Sequence, residues 1–201
     1  MTSEYPSTNQ QKNRNKDVPV FAYMGDFNIK IYGLDTILLA FADYKNKYLE
    51  SGSLWLIGEG KDKNELIALT KDLNIEAYVH FKMLPVGREK IQLLNQIDLF
   101  LRPSRSEFFP TTIIEAAAAS VPSIVSAENM LSEHIKVYNA GYVMEENNYK
   151  YLAKLLLKTL KEIKYNQWSS MRRNSFRMAV EKFQWNKILK MHVNLFEAQY
   201  R

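Results

Sequence analysis

Apolar residues recur along this chain in two alternating rhythms. Short apolar runs (VFAYM before Gly25, SLWLI before Gly58, then AYVHF, IDLFL and PSIVS) are bounded by glycine, proline or serine, as strands buried on both faces are. Between them, GLDTILLAFADYKNKY, KDKNELIALTKDLN and GREKIQLLNQ place apolar residues at helical spacing, and the segment around Glu115 reads as a helix running through Ala119. The alternation extends from about Val20 to Met144 and predicts an α/β domain, a Rossmann-like parallel sheet built from right-handed strand–helix–strand units. After Met144 three helical stretches follow with no strand between them, NNYKYLAKLLLKTLKEIK, QWSSMRRNSFRMAVEKF and WNKILKMHVNLFEAQY, which predict a helical C-terminal extension over about 145–201. Residues 1–18 are polar and aperiodic and read as a disordered tail or linker remnant, leaving 19–201 as the domain.

Composition narrows the chemistry. With 201 residues, 46% hydrophobic and 24% charged, the chain can bury a full core. It has no cysteine, which excludes a disulfide scaffold, a zinc-thiolate site and a cysteine nucleophile. The three histidines are scattered without ligand spacing, so no metal site is expected. The net charge of +5 comes from lysines dispersed among acids, which reads as a solvated face; attraction to anionic lipid headgroups, and so peripheral membrane association, is the second reading. No nucleic-acid motif is present and nucleic acid is not an expected partner. There is no membrane-length apolar run and no basic-then-apolar leader, so the expected location is cytoplasmic, with the inner face of the membrane as a variant.

Candidate chemistry gathers at the ends of the predicted strands, where open parallel sheets bind ligands. Gly25, Gly58 and Gly60 close two of them, either for a tight turn or for close approach to a ligand. GEG lacks the dinucleotide-binding pattern and no P-loop lysine follows it. Thr111 and Thr112 stand at a helix start whose free amides suit a phosphate, although Thr111 would serve equally as a plain N-cap. Glu107 precedes that helix and Glu115 is expected about two turns inside it. Two carboxylates so placed can accept hydrogen bonds from sugar hydroxyls, or can simply be solvated charges.

The stretch DLFLRPSRSEFFPTTIIEAAAASVP, Asp98 to Pro122, fits the pattern D-x4-P-S-x2-E-x7-E-A-x-A-x3-P. Together with the Gly25 turn, LWLIGEG and VHF, it resembles the C-terminal, donor-binding domain of family 4 retaining glycosyltransferases of the GT-B fold, from about Phe21 to Met144. The resemblance implies a nucleotide diphosphate-sugar as donor, hexosyl transfer with retention, and no metal or other cofactor. It implies that Glu107 is the catalytic carboxylate on the transferred sugar and that Glu115 binds ribose. Phe108, Phe109, Thr111 and Thr112 then receive sugar and diphosphate, Lys82, Met83 and Leu84 flank the base, and Gly25, Asp26, Lys30 and Tyr32 form the first loop.

This chain also departs from the family pattern. An arginine and a lysine usually hold the diphosphate, and the matching positions are Asp26 and Tyr32, with Lys30 as a substitute cation. Phe108 and Ser120 stand where glycines are usual. Family members carry a second, N-terminal domain that holds the acceptor; it is expected in cis or trans, and this chain alone is expected to be inactive. The alternative reading is a non-catalytic, degenerate glycosyltransferase domain acting as a partner or regulatory module.

Overall fold

The computed structural model describes residues 18–48, 51–106 and 110–183. All five residues of β1 (Val20–Met24) are buried, as the unbroken apolar run predicts. Phe21 and Tyr23 enter one core and Val20, Ala22 and Met24 another, so β1 is covered on both faces. It pairs in parallel with β2 (Ser53–Ile57) on one side and β4 (Leu99–Arg102) on the other. β3 (Val79–Lys82), β5 (Ser123–Ser126) and β6 (Gly141–Met144) complete a six-stranded parallel sheet of order β3-β2-β1-β4-β5-β6. Strand order therefore reverses between β1 and β4, the place above whose carboxyl ends open parallel sheets form a ligand crevice. The α/β, Rossmann-like expectation holds.

On one face α2 (Leu34–Tyr48) contributes Ile37, Leu38 and Phe41, and α7 (Tyr149–Lys164) contributes Leu152, Leu156 and Leu160. α3 (Lys63–Asp72) adds Leu66 to the same layer. Phe21 meets Phe41 and Tyr44 edge-on at 6.3 and 5.4 Å, in the geometry favoured by ring quadrupoles. The opposite face is closed by α4 (Gly87–Leu94), α5 (Thr111–Ala118), α6 (Ser132–Tyr138) and α8 (Trp168–Lys182). Thus α7 and α8 are not appended to the sheet; they supply part of each helical layer. The lysines of α7 at 150, 154, 158 and 161 line its exposed side, which is where much of the dispersed positive charge resides. No helix among the described residues is long and apolar enough to cross a membrane.

Three local features differ from the sequence expectation. AYVHF begins as a 3-10 turn, Glu76–Tyr78, in which Tyr78 N donates to Ile75 O at 2.9 Å, and pairing starts only at Val79. A one-turn helix, α1 (Ile29–Tyr32), precedes α2; Asn28 caps it by accepting from Ile31 N, and Gly33 ends it in the left-handed region. Helix α5 starts at Thr111, so Glu115 lies one turn inside rather than two. The tail expected over 1–18, apart from Val18, and the third C-terminal helical stretch lie outside the described residues.

Helix α5 closes with Ser120 N donating to Ala117 O and Val121 N to Ala116 O, both at 2.9 Å, a Schellman pairing. Ser120 occupies the left-handed position at φ 60°, where glycine carries no Cβ penalty. The left-handed cost of about 1–2 kcal/mol for an L-residue exceeds the ~0.5–1 kcal/mol that glycine's extra unfolded-state freedom takes back. Ser120→Gly should therefore raise unfolding free energy by about 0.5–1 kcal/mol, read as a higher urea midpoint at unchanged slope.

Candidate functional site

The crevice begins with the β1–α1 loop. Gly25 N continues the ladder to Ile57 O at 2.9 Å, and Phe27 N donates to Glu59 O at 2.7 Å. Asp62 N returns a bond to Phe27 O at 3.1 Å, and the Asp62 carboxylate accepts from Ile29 N at 2.8 Å. With the Phe27 side chain fully buried, this loop is fastened to the one after β2. A Cβ on Gly58 would stand 2.0 Å from Gly25 O, so that glycine permits backbone contact between the two loops. Asp26 is exposed, and its Oδ1 lies 2.7 Å from where a Gly60 Cβ would be. Lys30 is exposed on α1, while Tyr32 packs against the core rather than extending as a lysine would.

The other wall is the segment after β4. Arg102 is 5% exposed although it carries a charge. Its Nη1 donates to Met24 O at 3.1 Å, and its guanidinium lies 4.3 Å from the Tyr32 ring centre and 5.0 Å from that of Tyr23. Arg105 N donates to Ile31 O at 2.8 Å. Its guanidinium reaches Ile29 O at 3.0 Å, the Asp35 carboxylate at 2.8 Å and Thr36 Oγ1 at 3.0 Å. The loop leading to Glu107 is thereby locked to α1 and α2. Gly33 makes that approach feasible: at φ 66° its Cβ would sit 2.4 Å from Pro103 O. Ser104 O accepts from Ser126 Oγ at 2.7 Å, which ties the same loop to β5.

Thr111 is exposed and does not cap α5, because the cap position is Pro110 and no side chain bonds there. The plain N-cap reading of Thr111 is thus set aside. Thr112 Oγ1 is buried without a hydrogen-bond partner. Glu115 is held by Lys90 of α4, whose ammonium stands 2.7 Å from both carboxylate oxygens. At side-chain exposures of 23% and 40%, that pair contributes roughly 0–1 kcal/mol to stability. An open groove of about 630 Å³ runs between the segment after β3 and α4, lined among others by Lys82, Met83, Leu84, Val86 and Gln92. Met83 and Val86 are 81% and 80% exposed, and Lys82 Nζ rests 4.1 Å over the Trp55 ring. Sizes of this order accommodate small-molecule ligands.

The structure thus brings Gly25, Asp26, Lys30, Tyr32, Thr111 and Thr112 to the carboxyl end of the sheet, with Glu115 tied by Lys90 to the helix that borders the 82–84 groove. Glu107, Phe108 and Phe109 lie outside the described residues. Arg102, Arg105 and Lys90 escaped the sequence reading. The one available signal was Arg102 itself, a charge closing the otherwise apolar strand LFLR. The model of the family described as "Glycosyl transferases group 1" matches residues 5–175 of the chain.

The chain belongs to the group 1 glycosyltransferases. N-acetyl-alpha-D-glucosaminyl L-malate synthase of Bacillus anthracis is 25% identical over 169 residues, covering 83% of this chain and 42% of that protein. Sucrose-phosphate synthase from Thermosynechococcus elongatus superposes with a TM-score of 0.79 at 22% identity, over 95% of this chain and 48% of that one. Anabaena Alr3699/HepE, solved in complex with UDP and glucose, gives a TM-score of 0.75 at 18% identity, over 90% and 49%. The chain spans less than half the length of the curated relatives it matches. At these identities the structural likenesses establish the fold, the Rossmann-like α/β fold of GT-B glycosyltransferases.

Gly33 combines a left-handed φ of 66° with a close backbone approach. Gly33→Ala should destabilise the domain by about 2–5 kcal/mol, combining a left-handed cost of ~1–2 kcal/mol with ~1–3 kcal/mol of overpacking against Pro103 O. Chemical denaturation of the two proteins measures it.

Proposed function

We propose that this glycosyltransferase domain binds a nucleotide diphosphate-sugar in the crevice above β1 and β4 and presents the sugar for hexosyl transfer with retention. One observation carries the reading: the Asp98–Pro122 motif spans β4 and α5, so the chain's most specific sequence lies at the topological switch point. The names of relatives, a glucosaminyl-transferring synthase and a protein solved with UDP and glucose, lend support.

In this reading the base lies along the groove at Lys82, Met83 and Leu84, and ribose hydroxyls donate to the Glu115 carboxylate. Lys90 holds that carboxylate in place before the nucleotide arrives. The diphosphate turns toward the start of α5, where the amide dipoles and the Thr112 hydroxyl favour an anion. Glu107 orients the sugar, and protein groups rather than a metal meet the charge of the leaving diphosphate. A separate acceptor-binding domain, in cis or in trans, brings the nucleophile to the anomeric carbon.

Two outcomes are expected. Glu115→Ala should weaken binding of UDP or GDP by about 1.5–3 kcal/mol in calorimetric titrations, since it removes charge-assisted bonds to ribose. Its unfolding free energy should change by less than about 1 kcal/mol. Equal nucleotide affinities would remove the ribose role. The isolated chain, incubated with nucleotide-sugars and sugar acceptors, should form no transfer product, because no bound acceptor is oriented for attack. Product above a protein-free control would show that an acceptor surface is built into this domain. A chain that binds neither diphosphate would instead favour the non-catalytic partner module.

A further inference from the structure

We infer that the groove between the segment after β3 and α4 takes guanine, with Glu89 and Gln92 as the residues that select it, so that the donor is a guanosine diphosphate-sugar. The inference rests on the donor-site reading above and deepens it by naming the base. Between its apolar walls the groove is lined by the polar side chains of Lys82, Glu89, Gln92 and Gln96. Two of these are engaged elsewhere. The Lys82 ammonium rests 4.1 Å over the Trp55 ring, and the Gln96 amide donates to Gln92 O at 3.2 Å. The Glu89 carboxylate and the Gln92 amide are exposed and have no partner among the described residues.

Glu89 and Gln92 stand three residues apart on α4, so they share one side of the helix. Lys90, the next residue after Glu89, is turned about 100° round the helix and meets Glu115 at 2.7 Å. Helix α4 thus divides its polar groups, one side holding the carboxylate assigned to ribose and another lining the groove assigned to the base. A carboxylate only accepts, through two oxygens side by side. Guanine alone among the common bases presents two adjacent donors, N1–H and the N2 amine, which such a group can take as parallel bonds. Beside them O6 accepts, and the Gln92 amide can donate to it. Uracil offers one N–H between two carbonyl oxygens, so a facing carboxylate meets negative partial charge on both sides of its single bond. Adenine and cytosine each set their amine next to a ring nitrogen that accepts. The helix dipole favours an acid in the first turn of α4 whatever that acid faces. It does not account for an unpaired carboxylate and an unpaired amide together at a groove whose apolar walls suit a flat ring.

The test titrates the chain with GDP, IDP, ADP and UDP by calorimetry. IDP is GDP without the N2 amine, so the ratio of their affinities isolates one of the two bonds to Glu89. The wild type should bind GDP at least about fivefold more tightly than IDP, and UDP and ADP more weakly than IDP. Glu89→Gln, which keeps the shape and removes the charge, should bring GDP and IDP within about twofold of each other while UDP binding holds or improves. Gln92→Leu should weaken GDP and IDP alike and leave their ratio within about twofold of the wild type, since both carry O6. Both side chains are exposed, so each variant should fold. Equal affinities for GDP and IDP, a preference for UDP, or a GDP preference undiminished in Glu89→Gln overturns the inference and leaves the donor site standing. A chain that binds none of the four diphosphates overturns the donor-site reading and this inference together.

Discussion

A parallel sheet covered on both faces is the constraint on which the rest of the molecule depends. Once β1 is buried between two helical layers, every connection must leave from the same end of the sheet and cross back through a helix. All loops that follow strands are thereby gathered at one edge. The reversal between β1 and β4 then parts two of those loops, because one connection runs toward β2 and the other toward β5. The crevice follows from connectivity, and the residues at its rim are selected for what the opening can hold.

That rim is held firmly. The first loop is laced to the second through Phe27, Glu59 and Asp62, and the loop after β4 is pinned to α1 and α2 by Arg105. Gly33 and Gly58 permit close approaches, where neighbouring backbones come within a distance that excludes any side chain. Such bonds place binding groups before a ligand arrives, which lowers the ordering cost of binding. The groove at residues 82–86 is different. Its apolar side chains stand in solvent, and a flat aromatic base is a surface they can cover.

Charge at this site is distributed unlike the pattern its sequence resembles. Among the cations near this site, Lys90 holds Glu115, Lys82 rests on Trp55 and Arg102 packs against two tyrosines. Each rests against a carboxylate or a ring that fixes its direction. Departures at Asp26 and Tyr32 are thus coupled to residues far along the chain, and neither can be judged by itself.

Alternation of buried strands and helices was legible in the sequence because burial imposes a local period on apolar residues, and β1, β2, β4 and β5 appear where that period places them. The family was legible in Asp98–Pro122, whose residue types and spacing fit its pattern. Local pattern did not reveal the one-turn helix α1 or the 3-10 start at Glu76, since capping and sheet pairing set those limits. Nor did it reveal that Arg102 would lie over Tyr32, that Lys90 would hold Glu115, or that Arg105 would bind Asp35. Those contacts join residues 25 to 70 positions apart, and the Arg102 bond to Met24 O spans 78. Over such separations the sequence carries no period to read; only the folding of one crossover beside another brings the groups within hydrogen-bonding reach.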